Sequence, residues 1–200
     1  MPEMAALTLE HLQMVVIAVA IAAAIAIPGG IWLARRPGAR RWIMGAANIA
    51  QTIPSLALFG FLVPIAFIGG IGRRTAIEAL VLYAILPVLR NTLVGILGVD
   101  AAVRESAVAM GMTPGQILRE VELPLAMPSI IAGLRIATVA TVGTATIAAA
   151  IGGGGLGVFI FRGISMVDTP TVLEGAIPAA LLAVIADEGL EWLSRKVSAA

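Results

Sequence analysis

Cysteine is absent, so no disulfide cross-links this chain and no thiolate can hold a metal. Lysine occurs once, at Lys196. A Walker-type phosphate loop needs a lysine directly after its last glycine. The run Gly152-Gly153-Gly154-Gly155-Leu156-Gly157 therefore reads as a hinge or re-entrant turn. Histidine also occurs once. His11 has no cysteine or second histidine to share a metal with, and is expected at an interface or in solvent. Charged residues make up 12% of the chain, against about 25% in a soluble domain. The net charge of +1 says nothing about nucleic acid, and no nucleic-acid partner is expected.

What is abundant is apolar. At 60% hydrophobic residues the 200-residue chain reads as one all-α integral membrane domain, 1–200. A hydrocarbon core of about 30 Å needs about 20 apolar residues at 1.5 Å each. Five runs qualify: 12–34, 42–68, 75–97, 129–151 and 174–193. The segment before the first has acidic residues and no Lys or Arg, and the run is too long for a cleaved signal, so a retained span is expected. Pro28-Gly29-Gly30 is expected to loosen its far end. In the second, Asn48, Gln51, Thr52 and Ser55 recur at helical spacing, and Pro54 predicts a kink. Polar groups are costly against lipid, so that face should look into the protein, as helix–helix hydrogen bonds or as a water-filled path. Thr138, Thr141, Gly143 and Thr144 form a small-residue stripe suited to close helix packing.

The segment 100–124, between spans three and four, is densely punctuated. Asp100 can cap a short helix, and Gly111 suits the left-handed residue that ends one. Thr113, Pro114 and Gln116 have the spacing of a capping box. Pro124 is expected to stop this second helix and Pro128 to open the next span. Ile117, Leu118 and Val121 share one face among charges, which suits either a loop lying on lipid headgroups or an apolar knob for a soluble partner.

Arginine asymmetry orients the chain. With five spans, Arg35, Arg36, Arg40, Arg41, Arg104, Arg119, Arg195 and Lys196 fall on one side, against Arg73, Arg74 and Arg162 on the other. The N-terminus is thus expected outside, with segment 100–124 and the C-terminus in the cytoplasm. Arg90 and Asp187 lie at similar depth in spans three and five and are expected to pair, since an unpartnered charge there is costly.

Glu105-Ser106-Ala107, then Gly111, nine residues, then Val121-Glu122-Leu123-Pro124, resembles the EAA signature of bacterial ABC-importer permeases, with Ser106 in place of the first alanine. Gln51-Thr52-Ile53-Pro54-Ser55-Leu56, Tyr83 to Thr92 and the glycine run are similar to the osmoprotectant branch, where Gln51 stands in place of an expected Glu. The resemblance implies a type I permease fold, in which Glu105, Ser106, Ala107, Gly111, Ile117, Leu118, Val121, Leu123 and Pro124 form the coupling helix that docks on the ATPase. Asn48, Gln51, Thr52 and Ser55 become path-lining candidates. It further implies two ATPase subunits holding ATP and Mg, a second permease subunit (identical or paralogous) and an extracytoplasmic binding protein. This chain itself is expected to bind no cofactor and catalyse no reaction. The expected location is the bacterial cytoplasmic membrane, and the expected cargo glycine betaine, choline, carnitine or a similar amine. Its nine aromatic residues are scattered, so no cation–π cage is apparent here. Rival readings are a permease for another small solute, a stand-alone secondary carrier, or a membrane scaffold. A carrier would place ionisable groups mid-membrane, whereas these fall near span ends.

Overall fold

The computed structural model describes residues 2–65 and 69–198. Helix α1 spans Pro2–Ala34. Helices α2, Pro37–Gln51, and α3, Ser55–Leu62, meet at 97°. Then come α4, Arg73–Leu97, and the short α5, Ala101–Ala109. Helix α6 runs unbroken over Pro114–Ile151, with a π-helical turn at Ile117–Glu122 and a tighter 3-10 end at Thr146–Ile151. Helices α7, Gly157–Met166, and α8, Thr169–Ser198, complete the chain. No strand occurs among the described residues. Four helices are long and apolar enough to cross a membrane, five if the bent α2–α3 pair counts as one.

Neighbours pack in the order α2, α4, α6, α8, and α1 lies over α4 and α6. The face of α1 that makes this contact repeats every fourth residue: Ala18, Ala22 and Ala26 are fully buried, and Gly30 continues the line. Small side chains let helix backbones approach closely where lipid supplies no hydrophobic drive. At Gly30 the approach is tightest, since a Cβ there would lie 2.7 Å from Thr92 Cβ. Pro28-Gly29-Gly30 thus packs α1 onto α4 within an unbroken helix rather than loosening it. The outer faces of α1 and α8 carry exposed Val16, Ile25, Leu181 and Ile185, as lipid contact requires.

Two proline expectations fare differently. Pro54 breaks the second span as its missing N–H and ring demand, and α3 leaves at a steep angle. Residues 66–68, the expected end of that span, lie outside the described residues. Pro124, by contrast, stops nothing. The π-turn just before it has Leu123 N–H bonded to Leu118 O, five residues back. That wider turn relieves the clash a proline ring makes with the carbonyl four residues earlier. The span expected from 129 is therefore the continuation of the helix begun at Pro114.

His11 is another correction. It is fully buried, and its Nε2 donates to Val142 O at 3.1 Å. Because α1 starts at Pro2, the stripe through Met14 and Ala18 extends back one turn and carries His11 beneath the glycine run. There Gly155 N–H donates to Glu10 Oε2 at 3.2 Å. In the small-residue stripe Thr138 and Thr141 are buried, whereas Gly143 is exposed and Thr144 half-exposed.

Candidate coupling site and translocation face

The segment after α4 folds as its punctuation requires. Asp100 Oδ1 accepts Ala102 N–H at 2.9 Å and starts α5. Gly111, at φ +79°, ends it: Gly111 N–H bonds Val108 O and Met112 N–H bonds Ala107 O, the two bonds of a Schellman motif. Thr113 and Gln116 form the reciprocal capping box, with Thr113 N–H donating to Gln116 Oε1 at 2.8 Å. Helix α5 and the first turns of α6 thus form a capped pair joined by a tight turn.

This pair presents only part of the expected coupling set. Glu105, Ser106, Gly111 and Pro124 are exposed, and Val121 is half-buried. Ala107 and Ile117 are buried within the chain itself. Leu118 and Leu123 pack against the cluster of Ile96, Ala126 and Ile130. Of the apolar residues expected as an outward knob, Ile117 is therefore buried, and Leu118 and Val121 are half-buried. Outward apolar groups on and just after α5 include Val103, Val108 and Met110, the last two 62% and 74% exposed, which spacing alone did not single out.

Sequence reading also missed Glu122, which is fully buried. Its Oε1 accepts from Arg104 Nε at 2.9 Å and its Oε2 from the Arg35 guanidinium. The partners lie 18 and 87 positions away, beyond the reach of any local pattern.

The path candidates divide at Pro54. Asn48 accepts from Arg90 Nη2 at 2.9 Å, and Gln51 lines a cavity of about 210 Å³ with Ile53, Leu58 and Tyr83. Thr52 turns back to donate to Ile49 O at 2.7 Å. Ser55 begins α3 and does not share their helix face, because the helix ends at Gln51. Tyr83 Oη donates to Ile53 O, satisfying a carbonyl that the proline break frees.

Asp187 does not meet Arg90. It binds Arg135, with both guanidinium–carboxylate bonds at 2.8 Å, and Arg135 also reaches Glu191 at 2.9 Å. Helix α8 packs on α6, which puts Arg135 rather than Arg90 within range. Arg135 and Asp187 line an open groove of about 630 Å³ with Ala132, Ile136, Val139 and Ala140. Arg135 lies 16 residues before the end of α6 at Ile151, about 24 Å along the helix, whereas Asp187 and Glu191 lie 11 and 7 residues before the end of α8 at Ser198.

The transport family described as the inner membrane component of binding-protein-dependent transport systems matches residues 26–199. The chain belongs to that family. The permease is 43% identical to the choline transport system permease protein OpuBB of Bacillus subtilis, across 96% of this chain and 88% of that one. It is 46% identical to the glycine betaine/carnitine/choline transport system permease protein OpuCD of the same organism, across 94% and 82%. In three dimensions the permease superposes on a chain of the inward-facing MetNI methionine ABC transporter with a TM-score of 0.88. That likeness, at 25% identity, covers 98% of this chain and 96% of the other. The fold is that of a type I ABC-importer permease, and the protein is a multi-pass inner-membrane subunit of an ABC importer.

Proposed function

We propose that this permease carries quaternary-amine osmoprotectants of the glycine betaine, choline and carnitine class, driven by ATP hydrolysed in separate subunits. The full assembly has two permease subunits, two ATPase subunits holding ATP and Mg, and an extracytoplasmic binding protein that selects the solute. Identity above 40% to permeases named for those solutes, over most of both chains, supports this reading. The N-terminus lies outside and the α5–α6 turn in the cytoplasm, following the arginine distribution.

One observation carries the coupling part. A capped helix with exposed Glu105, Ser106, Val108 and Met110 adjoins a single helix, Pro114–Ile151, that continues from the surface through the membrane. Force on the exposed face of α5 from a closing ATPase dimer is delivered to that rod. Asn48 and Gln51 line the path. The solute influences the cycle only through its different affinity for the two states. A stand-alone carrier needs an ionisable group free to exchange its ion. Here Arg135, Asp187, Glu191 and Arg195 form one charge-balanced ion-pair network.

The test is uptake of labelled choline, glycine betaine and carnitine into vesicles holding this permease with its ATPase and binding protein. Uptake that requires internal ATP in this orientation is expected. Uptake that persists without the ATPase would overturn the reading.

A further inference from the structure

Helix α5 is weakly attached by apolar packing. Of its nine residues it buries one, Ala107, whose small side chain contributes little. Yet a helix that receives a push must be fixed to what it moves. The fixing is ionic. Glu122 is fully buried and carries hydrogen bonds on both carboxylate oxygens, one from Arg104 on α5 and one from Arg35 just beyond α1. Arg104 also donates to the Ile96 carbonyl near the end of α4. Four helices therefore converge on one carboxylate at the base of α6.

We infer that Glu122 is a positioning residue that ties α5, α6 and the cytoplasmic end of α1 into one rigid body, so that movement of α5 reaches both spans at once. The physical ground is that a buried carboxylate tolerates loss of a partner poorly, since the remaining charge is then uncompensated in a place without water. The three elements accordingly separate together or not at all. Apart from this tie α5 is held by the Arg104–Ile96 bond, two turns of chain, at 98–100 and 110–113, and the Ala107 contact. The π-turn has a specific part in it: Glu122 is its last residue, and the extra residue per turn sets the register that points Glu122 inward while Arg119 and Glu120 point out. The inference rests on the reading that a partner ATPase pushes on α5.

This chain has no cysteine, so Val103→Cys on α5 and Arg36→Cys beyond α1, both at exposed positions, give one spin-label pair per permease subunit once the partner subunits are made free of reactive cysteine, with labelled permease diluted into unlabelled where the two copies are identical. The distance between them is measured by pulsed electron resonance in the complete reconstituted transporter, with no nucleotide and with a non-hydrolysable ATP analogue. With Glu122 present, one narrow distribution is expected in both states. A shift of more than about 2 Å between them, the scale of a helix slide, would show that the elements move separately and overturn the tie. In a parallel preparation, Glu122→Gln is expected to broaden the distribution and lower choline moved per ATP hydrolysed at least about fivefold, with ATPase subunits still bound. A purely structural role would reduce the yield of assembled transporter and leave that ratio unchanged, which would also overturn the inference. If Glu122→Gln does not assemble, the distance measured with Glu122 in place decides. Absence of ATP-driven uptake in the unsubstituted transporter would instead refute the transport reading.

Discussion

Gly111 offers the cleanest perturbation of the coupling turn. Its φ of +79° is left-handed, and a Cβ added there would meet nothing within 4 Å. Any effect of substitution thus comes from backbone conformation alone, without a steric term from the core. An L-residue with a Cβ in that region costs about 1–2 kcal/mol, enough to shift the turn population about 5- to 30-fold. Asparagine tolerates the region better than alanine, and a β-branched valine worst. The alternative open to the chain is to continue α5 as helix, which discards the bonds from Gly111 N–H to Val108 O and Met112 N–H to Ala107 O. The Thr113 capping box would then start α6 from a displaced point. Solute moved per ATP hydrolysed should therefore fall in the order Gly, Asn, Ala, Val. Membrane insertion and thermal stability of the spans should stay near the unsubstituted values, since Gly111 has no part in their packing. The assay is paired measurement of choline uptake and phosphate release in vesicles, with complex yield as control. Equal coupling in Gly111→Val and the parent would refute the argument, as would an Asn variant as damaged as the Val one.

Three further outcomes follow from packing and polar satisfaction. Gly30→Val places a Cβ 2.7 Å from Thr92 Cβ and 3.1 Å from Leu89 O, so α1 must move off α4. A loss of about 1–3 kcal/mol is expected, read as a lower thermal midpoint in detergent, whereas Gly38→Ala, with open space around it, should be silent. Tyr83→Phe leaves the Ile53 carbonyl without its donor at the α2–α3 break. The expected cost is about 1–3 kcal/mol, and an unchanged thermal midpoint would show that water replaces the hydroxyl. Arg135→Ala leaves Asp187 without its cation and beside Glu191, which keeps Arg195, so it should impair stability more than Arg135→Ala combined with Asp187→Ala. A double variant as unstable as the single would refute the charge argument.

Much of the architecture was legible because membrane helices announce themselves by length and hydropathy, and because caps are local. Asp100, Gly111, Thr113 and Gln116 each act within three residues of themselves, and each does what its chemistry implies. The failures share the opposite property. Arg135 with Asp187 and Glu122 with Arg35 are decided by which helices are neighbours, and depth along a span could not separate Arg90 from Arg135. Pro124 misled for a different reason. A proline's cost is fixed by the turn that precedes it, and a π-turn leaves no simple residue signature. In the same turn Ile117 is buried and Leu118 only half-exposed, where an outward pair was expected. The polar set of the second span was half readable. Gln51 lines a crevice against Tyr83 of α4 and Asn48 accepts from Arg90 of the same helix, but Pro54 ends the helix whose periodicity had placed Ser55 beside them.

The unbroken α6 changes what a push at the surface can do. At 1.5 Å per residue its 38 residues extend about 57 Å, from the capping box at Thr113 to the left-handed Gly152. Its irregular turns fall at the two ends, π at Ile117–Glu122 and 3-10 at Thr146–Ile151, and its middle is packed on α1, α4 and α8. A regular helix transmits a displacement along its axis with little loss, whereas a helix stopped at Pro124 would have dissipated it in a loop. The far end delivers it to the glycine run, which grips Glu10 and covers His11 on α1. Helix α1 is in turn held at its other end through Arg35 and Glu122. The two helices are therefore joined at both membrane faces, and a tilt of one without the other must break a polar contact at one face. In the proposed cycle α1 and α6 would therefore rock as a pair, while Pro54 breaks the α2–α3 span.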